Sequence, residues 1–213
     1  MVELRLRLLI SRRSLTLFKM SRSLIFATGN RHKLQEVQSL LSEDFALRCL
    51  KDIGMDVDIP ETAGTLQGNA LQKAMYVYER TGMPCFADDT GLEIDALGGE
   101  PGVYSARYAG ERKDDQANLR KVLEKMQGIR DRRARFRTVI AYLDESGDRH
   151  FFEGVVEGEI LESPVGDEGF GYDPIFRPTG YNESFAQLPM QAKNAVSHRG
   201  RALRAFTNYL KSL

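Results

Sequence analysis

Two adjacent carboxylates, Asp88 and Asp89, follow the apolar run Cys85-Phe86-Ala87 and precede Thr90-Gly91. Like charges this close repel, and each raises the other's pKa unless a cation neutralises them. A hard, oxygen-ligated Mg2+ that also grips phosphate oxygens is the economical cation, and Glu61, in Pro60-Glu61-Thr62, is the best candidate for a further ligand. The run Thr28-Gly29-Asn30-Arg31-His32-Lys33 offers a complementary part. A turn between a strand and a helix can point backbone N–H groups at a phosphate, and Lys33, one turn into the helix, adds a point charge. Farther along, Gly169-Phe170-Gly171-Tyr172-Asp173 sets two aromatic rings among glycines. Such a loop can present a face to a flat ligand, with Asp173 accepting from a ring N–H. Lys193 and the pair His198-Arg199, at the start of a last helix, add donors for a ring oxygen or a phosphate.

Taken singly, each run has a plainer explanation. A Gly-Asn turn without the Walker pattern is more often only a turn. An acid pair before Thr-Gly can be a solvated turn, and the aromatic pair can be core. Their joint occurrence is what the plainer explanations leave unexplained.

The elements that must position these residues follow from periodicity. Leu24 to Thr28 is a short apolar run closed by Gly29-Asn30, and Leu34, Val37, Leu40 and Leu41 then follow at helical spacing. A second helix runs from about Leu66 to Arg80, with Ala70, Ala74 and Val77 on one face and Gly82 ending it. The next strand, Cys85 to Ala87, delivers Asp88-Asp89 at its end, where open α/β sheets place ligands. A third helix carries Leu119, Val122, Leu123 and Met126. Two β-rich runs, Phe136 to Leu143 and His150 to Leu161, are joined by a hairpin turn at 144–148. The last helix starts near Ser197 and shows Ala202, Leu203, Phe206, Tyr209, Leu210 and Leu213 at core-facing spacing. Crossover helices and a hairpin together imply an α/β fold with a mixed central β-sheet.

Composition narrows the classes of partner. With 30 basic and 30 acidic residues the formal net charge is zero, so no global field draws the chain to nucleic acid or to an anionic membrane. No stretch of about eighteen apolar residues is present to span a bilayer. Cys49 and Cys85 each lie in an apolar run, which argues against a disulfide framework or zinc site and fits a reducing, cytoplasmic setting. Residues 1–22 form a basic extension in which Arg5, Arg7, Arg12, Arg13, Lys19 and Arg22 face only Glu3. It reads as a transit peptide or as the product of an upstream start codon, Met20 being a natural first residue. Residues 23–213 read as one domain, expected to fold and act without residues 1–19.

The motifs together resemble the inosine triphosphate pyrophosphatase family over Ser23 to about Tyr209. The resemblance rests on Ala27-Thr28-Gly29-Asn30 with Lys33, on Phe86 to Leu92, on Ala96 to Arg107, on Phe170-Gly171-Tyr172-Asp173-Pro174 and on Lys193 to Arg199, in that order. It implies an elongated α/β protein of two lobes, with the active site in the cleft between them, that forms a homodimer. It also implies hydrolysis of ITP, dITP and XTP to the monophosphate and pyrophosphate with Mg2+, which keeps deaminated purines out of DNA and RNA. By the same resemblance Thr28, Gly29, Asn30, Arg31, His32 and Lys33 hold the triphosphate, and Glu61 and Asp89 bind the metal. Asp89 is the catalytic acid that orients or deprotonates water, and Thr90 and Lys193 touch the nucleotide. Phe170, Gly171, Tyr172 and Asp173 hold the base, and His198 and Arg199 read the purine edge. One departure is Gly68, where many members carry glutamate; two helical turns separate it from Glu61 on this reading.

The chemistry agrees with that assignment. In-line attack of water on a triphosphate needs charge neutralisation, an oriented water and a stabilised leaving group, roles that metal, Asp89 and Lys33 fill. Two alternatives remain: a nucleotide sensor without turnover, which has no need for Glu61, Asp88 and Asp89 together, and a pyrophosphatase acting on modified pyrimidines.

Overall fold

The computed structural model describes residues 22–41 and 45–213, so the extension up to residue 21, and the expectation that 1–19 is dispensable, lie outside the described residues. In chain order the elements are β1 (Arg22–Phe26), α1 (Arg31–Leu40), β2 (Phe45–Cys49), α2 (Leu66–Thr81), β3 (Cys85–Ile94) and β4 (Pro101–Gly102). There follow α3 (Asp115–Lys125), β5 (Arg133–Leu143), β6 (Arg149–Ile160), β7 (Phe176–Pro178), α4 (Met190–Val196) and α5 (His198–Ser212). The sheet runs β2-β1-β3-β5-β6-β7, with β4 paired to β3. β1 is parallel to β2 and β3, and the other pairs are antiparallel. The expected mixed α/β sheet is therefore present. Arg22, counted in the extension by its charge, opens β1, and its guanidinium reaches the Leu210 carbonyl at 3.5 Å.

Side chains alternate across a strand, and that alternation divides the core. Leu24, Phe26 and Phe86 pack on the face covered by α1 and α5, against Val37, Leu203 and Phe206. Ile25, Ala27, Cys85 and Ala87 pack on the opposite face against Ala70, Ala74 and Val77 of α2. Small residues on α2 let it lie close to the sheet, and the Cys85 thiol donates to the Ala74 carbonyl at 3.2 Å. Burial pushes that thiol up to about 12, so Cys85 is an inert, buried hydrophobe. A third core forms at the far ends of the same strands, where Leu92, Ile94, Ala134 and Phe136 meet Leu119, Val122 and Met126 of α3. Residues 88–91 of β3 thus fall between two cores, which is where a cleft between two lobes must lie.

β3 corrects the expected strand end. Asp88 and Asp89 sit inside a ten-residue strand paired with β5 from Cys85 opposite Leu143 to Ile94 opposite Ala134. The turn-forming look of Asp-Asp-Thr-Gly is overridden by this ladder and by Gly91, where a Cβ would stand 2.6 Å from the Gly102 carbonyl oxygen. Caps hold the helix starts: Thr65 accepts from the Gly68 amide and Ser197 from the Gly200 amide. Glu61 precedes α2 rather than sharing it with Gly68. A Cβ on Gly68 would lie 2.6 Å from the Ala63 Cβ, so the local loop excludes a larger residue as it stands. Gly154 of β6 plays a comparable part, since a Cβ there would stand 2.1 Å from the His198 carbonyl oxygen. The first turn of α5 is seated on the sheet through that gap. Among the described residues no helix is long and apolar enough to cross a membrane.

Candidate active site

A cavity of about 620 Å³ opens between the two lobes, within the range of nucleotide-sized pockets. Every residue assigned from the sequence lines it except Arg31, which begins α1 on the exposed surface. Asp88 lies behind the wall, and Asp89 lines it.

Asn30 organises the glycine turn by capping α1, its Oδ1 accepting the amides of His32 at 2.9 Å and Lys33 at 3.2 Å. Those two N–H groups are thus taken, which corrects the expectation that the turn offers them to a phosphate. The Thr28 hydroxyl oxygen accepts from the Asn30 amide at 3.1 Å. The charge that remains is Lys33, whose ammonium donates to Asp88 Oδ1 at 2.9 Å.

The two aspartates are separated by environment. Asp88 also meets Arg199 Nε at 3.3 Å. Burial alone would raise its carboxyl, but Lys33 and Arg199 outweigh that and hold it well below the usual carboxylate range. Asp89 faces the other way. Its Oδ2 accepts from Asn69 Nδ2 at 3.1 Å and its Oδ1 lies 3.5 Å from the Lys73 ammonium. Burial lifts its pKa above the ordinary value, with Glu61 adding repulsion against the pull of Lys73 and Lys33. One carboxylate is locked as a counter-ion and its neighbour is primed to take a proton, the division of labour expected of acid-base sites.

Glu61 converges on the same cation. Lys73 donates to Glu61 Oε1, and Arg107 holds the Glu61 carbonyl at 2.9 Å and Oε2 at 3.4 Å. Burial opposes the charge on Lys73, and Asp89 and Glu61 restore it, leaving its pKa raised. Among the described residues no three His, Cys, Asp or Glu side chains gather to hold a metal. Yet Glu61 and Asp89 already share one ammonium between them, a stand-in for a cation. Mg2+ commonly takes only one or two protein carboxylates, completing its shell with water and substrate phosphates. The donor set fits that ion.

At the other end of the cavity Phe170 lies between charged and aromatic neighbours. The His32 ring stacks on it with centroids 5.3 Å apart, and the Lys193 ammonium and Arg199 guanidinium sit 5.2 and 5.6 Å from its centroid. Asp173 is less available than its sequence suggested, because its Oδ2 accepts from the Phe170 amide and from Lys193, each at 2.8 Å. Tyr172 is core: its hydroxyl donates to the Ser105 carbonyl at 2.8 Å, and it packs with Phe176 and Phe185. The Gly171 amide donates to Asp115 Oδ2 at 3.1 Å, tying the loop to α3. His198 is buried and stacked on Phe136 at 4.6 Å. Burial, Arg199 and Lys193 push its pKa well down, so the ring is neutral. Its Nδ1 is buried without a hydrogen-bond partner among the described residues, and a buried polar atom left so points to a ligand. Arg199 Nε, Nη1 and Nη2 by contrast meet Asp88, Glu36 and Thr90.

Three contributors escaped the sequence reading. Glu36 of α1 is buried between Lys193, at 2.8 Å, and Arg199, and so joins the phosphate-turn helix to α4 and α5. Lys73 and Asn69 of α2 hold Glu61 and Asp89. Each lies on its helix's core-facing stripe, Glu36 beside Val37 and Lys73 between Ala70 and Ala74. A charged residue on an apolar stripe was the available signal.

Fold and cavity together define an α/β cleft protein with a cation-rich, carboxylate-bearing pocket. The model of the Ham1 family matches residues 24–209, and the chain belongs to that family. It is 49% identical over 187 residues to the dITP/XTP pyrophosphatase of Flavobacterium johnsoniae, covering 88% of this chain and 97% of the relative. With the dITP/XTP pyrophosphatase of Porphyromonas gingivalis the identity is 52% over 188 residues, covering 88% and 96%. The solved Ham1 protein of Staphylococcus aureus superposes with a TM-score of 0.82 at 37% identity, covering 90% of this chain and 99% of that one. The HAM1 protein of Coxiella burnetii gives 0.83 at 40% identity, covering 90% and 100%.

Proposed function

We propose that the chain hydrolyses deaminated purine nucleoside triphosphates, dITP, ITP and XTP, to the nucleoside monophosphate and pyrophosphate, using Mg2+. The observation that carries this reading is a single cavity that joins Lys33, Glu61 and Asp89 at one end to Phe170 and His198 at the other. The relatives' activity and the joint motifs support the same reading. Lys33 draws the phosphates, and Asp89 orients the attacking water and accepts its proton. Glu61 and Asp89 hold the metal, which supplies charge neutralisation on phosphate oxygens when bound. Asp88 keeps Lys33 and Arg199 in place.

The base rests on Phe170. His198 is neutral and, with its proton on Nδ1, donates to a 6-oxo group; the tautomer is inferred from this pairing. Adenine's 6-amino group would set donor against donor, and such unpaired polar groups let a site discriminate strongly. We extend the proposal to a homodimer in the cytoplasm, as the family resemblance and the cysteine usage suggest. Removing the metal with EDTA is expected to abolish nucleotide hydrolysis, and adding excess Mg2+ to restore it, as followed by chromatographic separation of the monophosphate from the triphosphate. Full activity in EDTA would contradict the assignment of Glu61 and Asp89 as metal ligands.

A further inference from the structure

Lys113, in the loop before α3, has φ of 52° and is the one non-glycine residue with positive φ among the described residues. L side chains rarely adopt that region, and such outliers gather where function demands a particular aim. The turn is closed by the Lys113 amide donating to the Gly110 carbonyl at 3.4 Å. Its side chain lines the same cavity as Lys33, Glu61 and Asp89. There its ammonium meets both oxygens of Asp58, at 3.1 and 2.9 Å. The pair sits in water, with the Lys113 side chain 43% and the Asp58 side chain 82% exposed. An ion pair so exposed contributes little and is readily exchanged. Of the other lysines of the cavity, Lys73 and Lys193 are buried against carboxylates, and Lys33, already assigned to the phosphates, is largely covered beside Asp88. The field of Lys113 nonetheless reaches the metal-binding end. Burial raises the Glu61 carboxyl, while Lys73, Lys33 and Lys113 lower it.

We propose that Lys113 is a ligand for the distal phosphates of the bound triphosphate, with Asp58 as its resting counter-ion. The proposal rests on the reading that a triphosphate occupies this cavity. Phosphate oxygens carry more charge than one carboxylate, so the ammonium exchanges Asp58 for the substrate tail when the nucleotide binds. Asp58 and the tail then compete for one cation, and the two partners must show opposite effects. Removing Lys113 weakens binding, and removing the Asp58 charge strengthens it. A strap that merely ties the two segments together would lose the same contact in either variant, and both would move in the same direction.

The test is competitive inhibition of dITP hydrolysis by inorganic tripolyphosphate and by IMP, with KM and kcat, on the full chain with Mg2+. Lys113→Met is expected to raise the tripolyphosphate inhibition constant and the dITP KM about tenfold, with a smaller change in kcat. Lys113→Arg keeps most of the affinity, and Asp58→Asn lowers both constants about twofold to threefold. Inhibition by IMP, which lacks the tail, stays unchanged in all three variants. Thermal melting confirms that each variant is folded. If the wild type hydrolyses dITP while tripolyphosphate inhibition is unchanged in Lys113→Met, or shifts the same way in Lys113→Met and Asp58→Asn, the role of Lys113 is overturned. If the wild type hydrolyses no nucleoside triphosphate, the functional reading fails and this proposal with it.

Discussion

Asp89→Asn is expected to cut turnover of dITP by more than the ~10² to 10³ typical of removing one stabilising donor, while nucleotide binding largely survives. The substitution keeps size and the Asn69 contact, and it removes the charge that metal binding and water activation both require. The close partners of Asp89 are Asn69 and Lys73, not Lys33, Phe170 or Lys193, so the nucleotide grip is left intact. Asp88→Asn separates the two acids. Its carboxylate is the shared counter-ion of Lys33 and Arg199, and breaking a buried pair of this kind costs about 3–5 kcal/mol. Its expected signature is a lower melting temperature and weaker nucleotide binding rather than a selective loss of the chemical step. Calorimetric affinity for ITP with magnesium, paired with single-turnover hydrolysis, distinguishes the two. An Asp89→Asn enzyme keeping more than about a tenth of wild-type turnover is incompatible with a catalytic carboxylate at that position.

The second large effect is expected at His198. His198→Phe preserves the ring stacked on Phe136 and deletes the buried Nδ1 that has no partner. The preference for dITP over dATP should shrink by about tenfold to a hundredfold, because one matched donor at a buried edge is lost. Pyrophosphate release at saturating dITP should fall less than that, since the phosphate end is untouched. Arg199→Ala is the poorer probe. It would strand Glu36 and Asp88 in the interior and cost about 3–5 kcal/mol of stability, mixing folding with recognition. The ratio of kcat/KM values for dITP and dATP reads the effect, and an unchanged ratio in folded His198→Phe removes His198 from base recognition.

What could be read from the residues alone follows a physical line. Periodicity located α1, α2, α3 and α5 and the β5–β6 hairpin because each buries one face, whereas α4, Met190–Val196, is too short to show a stripe and was not expected. The length of β3 escaped that logic. Asp and Gly are poor strand formers, and the long-range ladder with β5 and the fit of Gly91 under Gly102 keep them in a strand. The cavity residues were nameable because their types carry chemistry, but their pairing was not. Nothing local says that Asn30 spends its side chain on the His32 and Lys33 amides, or that Lys193 is clamped by Glu36 from a helix 157 positions away. Nor does spacing separate Asp88 from Asp89. That distinction comes from which cations the fold brings to each side of one strand.

Whether this cleft cleaves deaminated purine triphosphates is decided by pyrophosphate release across ITP, XTP, dITP, GTP, ATP and dUTP, each with and without magnesium. Rapid, magnesium-dependent release is expected from ITP, dITP and XTP, and slow release from GTP, ATP and dUTP. Equal rates on ATP and ITP, a preference for dUTP, or tight nucleotide binding with no release from any of the six would contradict it.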